Sequence, residues 1–275
     1  MAQQLPPLPE FDNPPVSEVV FSVQFTPLEK WRSPHGGMYW SVIQSDYPNT
    51  ETLLPLSPQI EKFGEEFWER SSGVAVQLVK PDITRFWFLD AEGVNLIQVQ
   101  QDRFIINWRR VKGTEVYPRY KEEIRPRFER EWARFREFLA ESNIGVPEVS
   151  QCEVTYVNDI PIGEGEDAFT ESLSLFSPWW GEGSESFLPR PEVLTVSGTF
   201  QMPQKKGRLR FTAQHMRRRR DNASVVQLRL VARGKPNSNS DEDVMKWMDL
   251  GREWIVRGFT DLTSPEAHKK WGRKC

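Results

Sequence analysis

The chain is expected to be an α+β protein, with antiparallel strands in one sheet and long helices packed on one face of it. Three observations predict this. The runs VSEVVFSVQF (16–25) and PEVSQCEVTYVNDIPI (147–162) read as half-buried strands, Phe21, Val23 and Phe25 alternating with Ser22 and Gln24 in the first. Two later stretches, one from Tyr117 and one over about 244–262, place apolar residues at the period of 3.6 that marks an amphipathic helix. The order strand, helical or loop segment, antiparallel strands, long helix also occurs twice, so residues 1–146 and 147–275 are expected to be pseudo-repeated units that together make one compact body.

Each element has a local signal. Pro14 and Pro15 mark the entry to the first strand, and GMYWSVIQSDYP and QIEKFGEEFWERSS follow as candidate helices, the second with Phe63 and Phe67 at helical spacing. Four strand-like runs come next, GVAVQLVK, TRFWFLD, NLIQVQQ and RFIINWRR, separated by turn chemistry such as PD and AEG. The helix from Tyr117 carries Tyr120, Ile124, Phe128, Trp132, Phe135 and Leu139 on one face and ends at NIGVP, with Pro126 expected to kink or restart it. In the second half a candidate helix, DAFTESLSLFSPWW, precedes three strand-like runs, PEVLTVSGTFQMP, GRLRFTAQHM and ASVVQLRLVARG. The final helix aligns Val244, Met248, Gly251, Ile255, Phe259 and Leu262.

Composition bounds the function. With 275 residues, 38% hydrophobic content, 11 Trp and 17 Phe, the chain can bury an aromatic-rich core without disulfide or metal staples. Its 36 basic and 39 acidic residues give a net charge of −3, so any nucleic-acid binding must come from a local patch. Cys152 and Cys275 are far apart in sequence, the start lacks the basic and apolar segments of a signal peptide, and no run of about 18 apolar residues occurs. The expected location is cytoplasmic, with no membrane partner.

No catalytic, cofactor-binding or metal-binding residues are assigned. His35, His215 and His268 are scattered, and neither cysteine has a nearby Cys or His. No phosphate-cradling G-x-x-x-x-G-K-[ST] loop or G-x-S-x-G elbow is present, and the Pro81-Asp82 pair is not followed by the acid-x-Lys that would hold Mg²⁺.

Surfaces carry the functional reading instead. If Phe86, Phe88, Phe104, Ile106 and Trp108 face the helices, then Arg85, Trp87, Arg103, Asn107 and Arg109 occupy the opposite face, where Gln98 and Gln100 can join them. By the same alternation Arg208, Arg210, Gln227, Arg229 and Arg233 point that way in the second half. Such a face can bind phosphates, with Trp87 as a base-stacking platform, or it is a solvated face that blocks aggregation. Arg217, Arg218, Arg219 and Arg220 form the tip of an expected hairpin, and the tandem Trp179 and Trp180 is a candidate partner anchor.

Two stretches, FDNPPVSEVVFSVQF near the start and WIVRGFTDLTSPEAHKKWGR at the end, resemble a sporadically distributed prokaryotic family of about this length, whose function is unassigned. The element order also resembles helix-grip and TATA-binding-protein-like topologies. The family's patchy distribution implies horizontal transfer, as in antiviral-defence or mobile-element loci, where small accessory proteins bind and modulate a partner. His268 and Trp271 belong to the closing signature; the plainer reading is that Trp271 closes the last turn on the core while His268 bonds nearby backbone. The expectation is a non-enzymatic regulatory or accessory subunit that recognises a protein partner. The rival is a nucleic-acid-binding module using the arginine-bearing face and tip.

Overall fold

The period-2 runs assemble into one sheet. The computed structural model describes residues 6–64, 84–162 and 195–274. Its strands are β1 (Val16–Phe25), β2 (Asn49–Leu53), β3 (Arg85–Leu89), β4 (Asn95–Gln100), β5 (Arg103–Arg109), β6 (Val149–Pro161), β7 (Thr195–Gln201), β8 (Arg208–Arg217) and β9 (Ser224–Gly234). Its α-helices are α1 (Pro34–Ile43), α2 (Arg125–Glu141), α3 (Asp241–Leu262) and α4 (Pro265–Lys270). The strands lie in the order β2-β3-β4-β5-β1-β6-β9-β8-β7, and every neighbouring pair is antiparallel. At the centre β1 pairs with β6, placing Phe21 opposite Val154 and Gln24 opposite Gln151, so the sheet runs unbroken across the boundary expected after residue 146.

Side-chain alternation sorts the two faces as expected. One row crosses the sheet from Phe88 through Ile97, Ile106, Phe21, Val154 and Ala232 to Leu209, all of it buried. Helix α2 covers the β1 and β5 part of this face, with Phe128 against Phe21, Trp132 against Phe25 and Phe135 stacked on Phe104 at 5.0 Å. Helix α3 covers β6, β9 and β8. It begins at Ser240, whose hydroxyl accepts from the Asp243 N–H, and three acidic residues in its first turn suit the positive end of the helix dipole. Val244, Met248, Gly251, Ile255 and Phe259 of the expected stripe are buried.

Pro126 does restart its helix. Having no N–H to donate to the carbonyl four residues back, it follows a single π turn, Tyr120–Ile124, and sits in the first turn of α2. One other expectation is corrected. Residues 59–64, expected to open a helix, form neither helix nor strand and cross the polar face of the sheet. Strand β2 had no expectation, because its side chains are exposed or only partly covered on both faces and carry no apolar alternation. The strand expected over 73–80, most of the second candidate helix and DAFTESLSLFSPWW, with Trp179 and Trp180, lie outside the described residues.

Residues 11–13 meet residues 271–273. Phe11 bridges to Arg273, the Asp12 and Asn13 N–H groups donate to Gly272 O and Trp271 O, and the Phe11 ring meets Phe259 edge-on at 5.5 Å. The two end signatures are therefore one packed clasp.

Candidate functional site

The arginine- and glutamine-bearing face has the predicted sidedness, but its central part is covered. One row of the sheet runs Gln100, Arg103, Gln24, Gln151 across β4, β5, β1 and β6. Each of these side chains holds the backbone of the segment after β2. Gln100 accepts from Leu56 N–H at 2.9 Å and donates to Leu56 O at 3.0 Å, and Arg103 donates to Ser57 O at 3.0 Å. Gln24 accepts from Gln59 N–H at 2.8 Å and Gln151 from Glu61 N–H at 3.3 Å. Four adjacent strands thus carry residues 56–61 as a strap laid across them. An amide side chain satisfies a backbone N–H or C=O as another peptide would, so the strap is held through its main chain.

The strap ends in an ion cluster. The Glu61 carboxylate, 3% exposed, receives Arg208 at 2.9 Å and a second guanidinium, Arg210, with Arg233 at 3.6 Å. Burial works to raise its pKa, but the hydrogen bonds from Arg210 and Arg208 prevail and hold it below the ordinary carboxylate value. Arg208 also lies over the Phe63 ring at 4.3 Å. Burial lowers the pKa of Arg103 beside this cluster.

The candidate residues therefore separate. Arg103, Asn107 and Arg208 are buried. Asn107 donates to Glu18 at 2.6 Å and accepts from Gln98 at 2.8 Å. Trp87 donates to Gln98 at 2.9 Å and has the guanidinium groups of Arg85 and Arg109 over its ring at 5.6 and 5.4 Å. The reading of this face as an open phosphate-binding surface is corrected where the strap crosses β4, β5, β1 and β6, because residues 56–61 lie over Gln100, Arg103, Gln24 and Gln151 there. Arg229 remains exposed between exposed Thr212 and buried Val157. Gln24, Gln151 and Glu61 were missed, since nothing local in the sequence marks a side chain that meets a strap from elsewhere in the chain.

A different surface forms where the sheet ends. The β8–β9 hairpin tip, 217–223, leans on the loop after β5, with the Arg220 guanidinium about 3 Å from where a side chain on Gly113 would begin. Arg110 has its pKa lowered by burial and then by the charges of Arg220 and Arg218. The tip is not a bare block of positive charge. Asp221 pairs with Arg218 at 2.6 Å and Arg220 at 3.6 Å, and the hydrogen bond from Arg218 holds its carboxyl down to about 2. Arg217 donates to Asn222 O at 3.2 Å, Lys112 pairs with Glu92 at 2.6 Å, and Arg219 is exposed. Between these charges the loop exposes Val111 and Val116, the latter 85% exposed.

The closing-signature residues are packed. His268 is buried, with Nε2 2.8 Å from Thr263 Oγ1 and Nδ1 3.2 Å from Arg273, and the Trp271 ring packs at a tilt against Phe259 at 5.0 Å. Burial and the Arg273 charge hold the His268 pKa below its usual value. Cys152 is fully buried in β6, and burial pushes its thiol far up, out of the reactive thiolate range. Among the described residues no group of three or more His, Cys, Asp or Glu is placed to hold a metal ion, and no helix is long and apolar enough to cross a membrane. No family model, no curated protein and no solved structure matches the chain.

Proposed function

We propose that the protein is a non-enzymatic cytoplasmic binding protein, a regulatory or accessory subunit, and that it recognises a protein partner through the loop 110–116 and the hairpin tip 217–221. The observation that supports this is the composition of that surface. Exposed Val111 and Val116 stand among arginines already interleaved with Glu92, Glu115 and Asp221. Apolar residues ringed by charges of both signs suit a protein interface, where complementary charges set register around a desolvated centre. A phosphate backbone favours uncompensated cations, and the central part of the polar face that would have supplied them is strapped. The defence or mobile-element setting rests on the resemblance of the two end signatures alone. We also read the two flanks of the sheet as copies of one unit in a helix-grip or TATA-binding-protein-like arrangement. In each flank the first strand pairs with the last, β1 with β5 and β6 with β9, and a helix follows.

The test sets two probes side by side. With a photo-crosslinker at Val116, the protein should retrieve one protein stoichiometrically from lysate of its source cells. Val116→Asp combined with Arg219→Glu should abolish the capture without shifting the melting temperature. Steeply salt-dependent binding of DNA or RNA, flattened when Arg217 to Arg220 become alanine, would instead establish the nucleic-acid reading.

A further inference from the structure

On the helix side of the sheet, away from the strap and the hairpin tip, lies a cavity of about 300 Å³. The N-terminal arm, the π turn and α3 enclose it against β1 and β6. Part of its wall is apolar, from Phe11, Pro14, Val16, Ile255, Val256 and Phe259. The polar part holds Tyr117, Tyr156 and Arg252.

Arg252 is what the surrounding fold leaves unexplained. A half-buried guanidinium ordinarily has a carboxylate beside it, because removing the charge from water is costly. The nearby acids are engaged elsewhere: Asp249 takes Tyr120 and Arg125, and Glu253 takes Arg257. Arg252 forms no ion pair among the described residues, and its Nε is buried without a hydrogen-bond partner. Its guanidinium lies over the Tyr120 ring at 5.0 Å and beside the Tyr156 hydroxyl. Of the other cations around the cavity, Arg119 donates to Phe11 O and Asp12 O, Lys274 pairs with Asp12, and Lys121 is exposed to solvent.

The tyrosines add a donor. Tyr117 and Tyr156 bring their hydroxyls to 3.0 Å, and burial raises the pKa of both, Tyr117 well above its ordinary value, so both stay protonated. Two hydroxyls carry two protons; one closes the bond between them and the other is left to donate. A guanidinium outside any ion pair among the described residues, with an adjacent hydroxyl donor, at one side of a cavity whose wall is apolar only in part, matches one negative charge on a planar acceptor.

We propose that this cavity binds a small organic monocarboxylate with an apolar body, its carboxylate on Arg252 and the Tyr117–Tyr156 pair and its body against Ile255, Val256 and Phe259. A dianionic phosphate is disfavoured, because among the described residues Arg252 is the one half-buried cation lining the cavity, Arg119, Lys121 and Lys274 being exposed, and Glu10 and Glu122 stand around it. The site is separate from the surface proposed for a protein partner, and neither reading depends on the other.

The test is calorimetric titration of the full chain with hexanoate, octanoate and phenylacetate, beside the matching alcohols and inorganic phosphate. At least one carboxylate should bind with a Kd below about 1 mM, and its alcohol should bind roughly 10- to 100-fold more weakly, the loss expected for a charged hydrogen bond. Arg252→Met should remove that discrimination, and Tyr156→Phe should weaken the carboxylate several-fold. Should Arg252→Met fail to fold, Val256→Trp decides, since it keeps the guanidinium and fills the cavity: it must abolish binding. No carboxylate binding at 10 mM, binding untouched by these variants, or phosphate binding more tightly than every carboxylate would overturn the proposal.

Discussion

Glu61 shows how much one residue can carry. Its buried carboxylate neutralises a face that already holds Arg208, 4% exposed, together with Arg210 and Arg233. Removing one member of a buried ion pair costs about 3–5 kcal/mol, and here the low end applies, because Arg233 keeps Glu153 at 2.5 Å and Arg210 is one-third exposed. Glu61→Gln should therefore lose about that much stability in urea denaturation, whereas Arg210→Ala, whose side chain is one-third exposed, should lose less. The pH dependence has a definite sign. The folded pKa of Glu61 lies below its ordinary value of 4.5, so its contribution is complete above that pH and is lost as pH falls through the lowered value. The stability gap between the wild type and Glu61→Gln should then be constant near neutrality and shrink below about pH 4.5. A gap that grew on acidification would mean that the carboxylate is not held by these arginines. The sidedness of Arg103, Arg208 and Arg210 was legible in the sequence because alternation is a local property. The burial of Arg103 and Arg208 was not, because it depends on a strap that reaches them from elsewhere in the chain, through the Ser57 carbonyl and the Glu61 carboxylate.

At the scale of elements, the strongly periodic segments were the legible ones. Helices α2 and α3, and strands β1, β5, β6, β8 and β9, all carry one apolar face at the period of their geometry. The edge strand β2, NTETL, has no apolar face to reveal it and is recruited by pairing with β3, Thr50 opposite Phe88. Helix α1 docks by a different rule, close approach. A Cβ built on Gly36 would lie 2.5 Å from the Phe86 ring, and that ring is itself fixed by its stack on Phe88 at 6.2 Å. Gly36→Ala sets two effects against each other. Helix propensity favours alanine by about 1 kcal/mol, while forcing extra volume against a packed ring costs about 1–3 kcal/mol. The contact is too short for the ring to absorb without moving. Overpacking should prevail, with a net loss of about 1 kcal/mol and a melting temperature a few degrees lower. An unchanged or higher melting temperature would show that Phe86 has room to rotate away.

For the whole molecule, the central question is whether its two halves are separable. The chain boundary after residue 146 is easy to see in the order of elements, yet the β1–β6 ladder lies across it, and Val19, Val23, Cys152 and Val154 beside that ladder are almost wholly buried. The arm around Phe11 reinforces the join: Phe11, from the first half, sits among Phe259, His268 and Trp271 of the second, and Arg119 holds the carbonyls of Phe11 and Asp12. Cutting the chain at the boundary would leave each half with an unpaired strand edge from the middle of the sheet, the feature that drives chains to associate edge to edge. Residues 1–146 and 147–275 expressed separately should therefore aggregate, whereas co-expression should restore a soluble one-to-one complex on size-exclusion chromatography. The arm allows a graded version in the intact chain. Phe11→Ala opens a cavity beside Trp271 and should cost about 3–5 kcal/mol in one cooperative transition, with the tryptophan emission shifted to the red as Trp271 gains solvent. A half that stays monomeric and folded alone, or a Phe11→Ala protein that melts in two steps, would mean that the clasp and the central ladder are a contact between independent domains.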